Sequence, residues 1–318
     1  MARIKINPSS KVNTDTGFGT QAGRIGGRYI NKDGSFNIKK DGISFIKNMS
    51  IYSWVLELSR WKFILFLLAF FLVENAFFSS LYLLGGDDQL QGFTSNNGFS
   101  KTVEVFFFST QTFTTVGYGR INPVGFYGNV IAALESMCGW LSFAFLTGLL
   151  YGRFTRPKAY ISFSEHALIS PYQNGKGLMF RMVPYKKHHY LTDAKVTVNL
   201  VLKETDSDTA EYKFYNLNLE RTRIDFFNMN WTVVHPIDSE SPLLNFTPED
   251  LEPSDMELYI QVTGFDPVYS NVVIRRTSYT FREIIWGAKF IPMYTESEDG
   301  ATTILQMHKL NEMVKAEV

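Results

Sequence analysis

Thr114-Thr115-Val116-Gly117-Tyr118-Gly119 is the stretch on which the reading of the whole chain turns. Backbone carbonyls turned to one side of an extended strand form a row of oxygen ligands that can replace the hydration shell of a cation. Turning successive carbonyls that way needs backbone angles that a Cβ opposes, and Gly117 and Gly119 remove the obstacle at alternate positions. The carbonyls of Thr115, Val116, Gly117 and Tyr118, with the Thr115 hydroxyl, then line stacked ion sites. The side chains of Val116 and Tyr118 brace the strand from behind.

What flanks this stretch decides whether it can work. Val103 to Phe113 is a short apolar, Thr-rich run, too short to cross a bilayer, and it predicts a re-entrant helix over 101–113. Longer apolar runs lie on either side, Phe63 to Leu84 and about Val130 to Tyr151, each near the ~20 residues a span needs. They predict a first span over 62–84 and a second over 128–154. The first contains Glu74 and Asn75, yet its many Phe, Leu, Ile and Val residues, at roughly −0.3 to −0.6 kcal/mol each, outweigh about +3 for one central acid. The competing reading is a buried helix of a soluble protein.

Basic residues gather on one side of these spans. Lys39, Lys40, Lys47, Arg60 and Lys62 precede the first, and Arg153, Arg156 and Lys158 follow the second, whereas only Lys101 and Arg120 lie between. By the positive-inside rule both termini are expected in the cytoplasm of a multi-pass cell (inner) membrane protein. No apolar run precedes Phe63, so no cleaved signal peptide is expected. Cys138 is the single cysteine, which excludes an intrachain disulfide. The formal net charge of +0 gives no footprint for nucleic acid.

Residues 1–46 are polar and rich in Gly, Ser and Asn, and read as an extended arm without a core of its own. Ile51, Trp54, Val55, Leu58 and Trp61 recur at helical spacing, which predicts an interfacial helix over 48–60, with the first turns of a longer span as the alternative. With it the membrane part covers 47–157. Beyond Pro157 the character changes. Lys195 to Leu202, Glu211 to Leu219, Glu257 to Phe265 and Val272 to Phe281 alternate apolar and polar residues between turn signals such as Asn174-Gly175. That is the pattern of an antiparallel β-sandwich over 158–318. The fold class is therefore membrane α plus cytoplasmic β: two transmembrane helices with a re-entrant pore helix and filter, then a sandwich.

Thr115 to Gly119 is, letter for letter, the known potassium-channel filter signature, so this step is recognition of a motif. One chain holds one copy and the ring takes four, so a homotetramer is expected. Further segments resemble the inward-rectifier potassium channel family, bacterial branch: Arg28 to Ile38 in the arm, Arg60-Trp61-Lys62, Arg153 to Lys158, Phe163 to Ile169, Gly177 to Val183, Val234 to Pro242 and Glu283 to Gly287. The resemblance covers almost the whole chain. It implies an immunoglobulin-like sandwich that extends the pore, K+ ions in the filter with no other cofactor, and membership of the voltage-gated channel class.

Phe143, Thr147 and Tyr151 fall four residues apart and share one helical face. If that face lines the cavity, four Tyr151 rings can pinch the pore, where the family places its gate. Packing of the ring against the first span is the alternative. Gly139 and Gly148 are read as bending points or as close-packing sites. Arg60, Trp61, Lys62, Arg153, Arg156 and Lys158 are candidates for anionic lipids such as phosphoinositides, or serve orientation alone. Strong polyamine or Mg2+ block needs an acid where this chain has Phe143, so weak rectification is expected. Glu211 matches an acidic pore-facing position of the soluble part and Asp266 lies near another; surface solvation is the plainer role for both.

Gln111 stands where the family has a pore-helix glutamate, and Arg120 follows the filter, where a positive ring would modestly oppose cation entry. The absence of the family's paired outer-loop cysteines favours a bacterial origin. Glu135 is expected to hydrogen-bond the pore helix. His188 and His189, read as strand residues, point to opposite faces and make no metal site. Nucleophile, metal cluster and phosphate loop are all lacking, which argues against an enzyme. Two other readings are a potassium transporter subunit, whose filter segments come four to a chain, and a membrane-anchored β-sandwich binding module.

Overall fold

The computed structural model describes residues 6–13, 28–42, 44, 50–94, 98–206 and 209–317. The chain divides into two compact units, one of residues 41–156 and one of 1–40 with 157–318.

In the first unit, helix α1 (Ile51–Glu57) is capped by Ser50, whose hydroxyl accepts from the Ser53 N–H. Leu58 and Ser59 then leave helical angles, with ψ of 144° and 160°, before α2 (Arg60–Leu84) begins. The break makes α1 a helix separate from α2 and not its first turns. The expected start of that helix, residues 48 and 49, lies outside the described residues. Helix α3 (Gly98–Phe113) is the short re-entrant helix and α4 (Phe126–Phe154) the second long one. Only 17% of the most apolar window of α2, and likewise of α4, is buried within the chain. A core helix of a soluble protein would bury most of that surface; an apolar surface left open fits a bilayer. Two-residue strands β1 (Leu90–Gln91) and β2 (Asn122–Pro123) pair antiparallel and tie the loop after α2 to the segment that precedes α4.

The second unit is a sandwich of two five-stranded sheets. One contains β6 (Leu191–Asp206), β7 (Thr209–Asn216), β8 (Arg223–Phe227), β10 (Glu257–Asp266) and β11 (Asn271–Thr280). The other contains β3 (Ile161–Phe163), β4 (Ala167–Tyr172), β5 (Gly175–Pro184), β9 (Trp231–Ile237) and β12 (Ile284–Trp286). The period of two explains the core: Val196, Val198, Leu200 and Leu202 point inward from β6 to meet Phe180 and Met182 of β5 and Leu258 and Ile260 of β10. Val201 breaks the pattern. It is buried on the outer face because Ile30 of the arm covers it together with Phe214 and Tyr259. Arg28 fixes the arm there, donating to the Ser278 carbonyl (3.1 Å) and pairing with Glu283 (3.1 Å).

Candidate functional site: the filter and its supports

Helix α3 runs straight into the filter. Thr115, Gly117 and Gly119 have φ of +58°, +54° and +81°, while the residues between them stay at negative φ. This alternation of left- and right-handed backbone is what turns successive carbonyls to one side of a strand. The glycines are there for conformation and not for space, since a Cβ at Gly117 or Gly119 would meet nothing within 4 Å. Thr115 was not foreseen as left-handed. A β-branched residue there costs about 1–3 kcal/mol, and such strain persists only where neighbours over-determine it. They do: the Thr115 N–H donates to the Thr112 carbonyl (3.0 Å), and the Gln111 carbonyl accepts from Val116 (2.9 Å) and Gly117 (3.3 Å). Those bonds hold the N–H groups toward the helix. The C-terminal end of α3, which carries partial negative charge, meets the first residues of the filter and favours a cation there.

Tyr118 is 80% exposed and Val116 more than half, so the bracing expected of them is not supplied by their own chain. Arg120 is not the free positive ring expected from the sequence. It pairs with Glu104 of α3 at 3.2 Å and donates to the Thr94 hydroxyl at 2.8 Å.

Glu135 of α4 is completely buried (0% exposed) and receives hydrogen bonds from the Tyr82 hydroxyl at 2.6 Å and the Ser109 hydroxyl at 2.5 Å. Asn75 lies beside it, its side-chain amide donating to the Phe71 carbonyl and its own carbonyl accepting from Ser79. Glu74 is half-buried on α2.

On α4, Phe143, Thr147 and Tyr151 share an exposed face, opposite Leu149, which is buried with Val55 and Phe63. Tyr151 is 71% exposed, so it does not pack on α2. Gly148 is open, whereas a Cβ at Gly139 would lie 2.0 Å from the Phe113 carbonyl. Of the two glycines, Gly139 is therefore a close-packing site.

Among the membrane-proximal residues, Arg60, Trp61, Lys62, Arg156 and Lys158 are exposed. Arg153 is committed elsewhere: it donates to the Leu58 carbonyl (2.7 Å) and the Leu56 carbonyl (3.4 Å) and lies over the Phe63 ring at 4.6 Å. These carbonyls are the orphans left where α1 ends. Arg156 comes within 3.7 Å of Glu57.

Asp266 cannot line a pore surface. It is 0% exposed, with its carboxylate held by His189 (2.8 Å) and by the Val268 N–H (2.8 Å). Glu211 is exposed at the surface of β7. His188 and His189 lie in a turn and not on a strand, and the His189 ring sits between Tyr160 and Tyr269. No group of three or more metal-ligating side chains occurs among the described residues.

Two long apolar helices, a re-entrant helix and a strand of alternating handedness define an ion channel pore, here joined to a β-sandwich. The family models agree part by part: residues 61–156 match "Ion channel" and residues 161–318 match "Inward rectifier potassium channel C-terminal domain". The inward rectifier potassium channel Kirbac3.1 of Paramagnetospirillum magnetotacticum is 34% identical over 91% of this chain and 96% of its own. G protein-activated inward rectifier potassium channel 2 of Mus musculus is 26% identical over 86% of this chain and 68% of its own. ATP-sensitive inward rectifier potassium channel 15 of Rattus norvegicus is 27% identical over 94% and 79%. The chain belongs to the inward rectifier potassium channel family.

This membership corrects the voltage-gated class. Among the described residues, α2 carries Arg60 and Lys62 only at its start and α4 carries Arg153 only at its end, with no ladder of arginines to move through the field.

Proposed function

We propose that four copies of this chain form a K+-selective pore in the cell membrane, with both termini cytoplasmic and passive flux through the filter Thr114 to Gly119. The observation that carries this is the alternating backbone at Thr115, Gly117 and Gly119, pinned to the Gln111 carbonyl at the end of α3. Ion passage requires sites favourable enough to enter and numerous enough to leave, and stacked carbonyl rings at Thr115, Val116, Gly117 and Tyr118 meet both needs. The cavity face bears Phe143, Thr147 and Tyr151, and four Tyr151 rings form the inner gate. Anionic lipid headgroups engage Arg60, Trp61, Lys62, Arg156 and Lys158, each cation adding about 1 kcal/mol of attraction; Arg153 holds the end of α1 instead. Rectification is weak, because Phe143 offers no charge to a polyamine or Mg2+.

Purified protein in liposomes tests this directly. Flux of K+ that exceeds Na+ and stops with barium is expected; equal passage of both ions ends the reading.

A further inference from the structure

Two contacts, one helical turn apart, lock α4 against the pore helix. At the first, Glu135 accepts from Ser109; at the second, Gly139 admits the Phe113 carbonyl so closely that a Cβ would sit 2.0 Å from it. Ser109 and Phe113 are themselves one turn apart on α3, so the two helices meet in register, ending at the last residue before the filter. Helix α2 closes the third side. Its Tyr82 hydroxyl donates to the second oxygen of Glu135, and its Asn75 carbonyl lies 3.1 Å from the Ser109 hydroxyl.

We propose that Glu135 is a positioning residue for ion selection: through Ser109 it fixes the depth of α3, and hence the Gln111 carbonyl that holds the N–H groups of Val116 and Gly117. Several observations point the same way. A fully buried carboxylate with hydroxyl donors is an expensive substitute for an apolar side chain in a membrane bundle. Its partners come from α2 and α3, so it joins α2, α3 and α4 at one point. Ion choice in a ring of carbonyls depends on how far those oxygens are held from the axis. A pore helix that gains freedom to slide therefore loses discrimination before it loses conduction.

The inference rests on the channel reading above, and one experiment separates the two. Wild type, Ser109→Ala, Glu135→Leu, Glu135→Gln and Ser80→Ala are reconstituted in liposomes, with assembly checked by size-exclusion chromatography and the K+ to Na+ flux ratio measured. Ser80 donates only to the Phe77 carbonyl (2.6 Å) and serves as the control. Ser109→Ala and Glu135→Leu are expected to lower the ratio by about tenfold, the factor that one lost buried hydrogen bond carries. Glu135→Gln retains an acceptor for Ser109 and should recover most of the ratio, as Ser80→Ala should keep all of it. Ser109→Ala and Glu135→Leu that assemble normally with the wild-type ratio would overturn the proposal. Should Glu135→Leu fail to assemble, Ser109→Ala alone decides on the same criterion. A wild type that does not prefer K+ would overturn the channel reading itself.

Discussion

The two units of this chain solve the same problem inside out. The sandwich buries a broad apolar layer between its sheets, and polar groups inside it find partners there, as where the Tyr279 hydroxyl donates to the Ser164 carbonyl at 2.8 Å. The membrane unit leaves its apolar surface outside and collects Asn75, Ser79, Ser109 and Glu135 within. In lipid there is no hydrophobic gain from bringing helices together, so hydrogen bonds and close contacts must set their positions. The helices of the membrane unit are therefore positioned by polar bolts and glycine notches, whereas stability of the sandwich depends on filled volume.

Mutations can break that contrast in a definite order. Gly117→Ala should have the largest effect: the new Cβ meets no atom, but the residue must hold φ of +54°, so K+ flux in liposomes is expected to vanish while the sandwich melts as before. Gly139→Ala comes next. Its Cβ collides with the Phe113 carbonyl, so flux and assembly should both fall, while Gly148→Ala, which meets nothing within 4 Å, should assemble as the wild type does. Leu200→Ala in the sandwich core should lower unfolding stability by about 2–5 kcal/mol in thermal melts, with the K+ to Na+ ratio unchanged in protein kept below its melting point.

The smallest effect expected is a pH dependence of the sandwich. His235 is buried, donates from Nδ1 to the Asn218 carbonyl (2.6 Å) and accepts at Nε2 from Ser241 (2.8 Å); burial pushes its pKa below the ordinary 6.5. The folded state thus prefers the neutral ring. Its contribution is complete above about pH 6.5 and is lost as pH falls from there toward the lowered folded value. Melts of wild type and His235→Gln between pH 7.5 and 5.5 should converge by about 1 kcal/mol on acidification. Glu257 pulls the other way, because burial raises its pKa and the neutral acid suits the fold.

The spans, the re-entrant helix and the long strands were legible because each follows from the period and length of apolar runs. Gly117 and Gly119 were legible because glycine announces its own backbone. Thr115 was not: nothing local in a threonine foretells φ of +58°, which comes from hydrogen bonds to α3. Gly139 read equally as a bend or a packing site because its neighbour, Phe113, lies in another helix. Asp266 looked like a surface acid until its partner His189, far away in sequence, closed over it. Arg153 looked like a lipid ligand because carbonyls freed by a helix break are invisible in a string of letters. For Gly139, Asp266 and Arg153 the missing information was a contact between residues distant in sequence; for Thr115 it was the turn by which the chain leaves α3.

Arg153 also has a mechanical meaning. One guanidinium grips the carbonyls at the end of α1 from the last turn of α4, only two residues beyond Tyr151. A displacement of α1 is thereby passed to the C-terminal turns of α4 through this guanidinium and the packing of Val55 on Leu149. The end of α1 and the last turn of α4 are thus fastened to one another inside the membrane unit, by bonds that neither helix could supply alone.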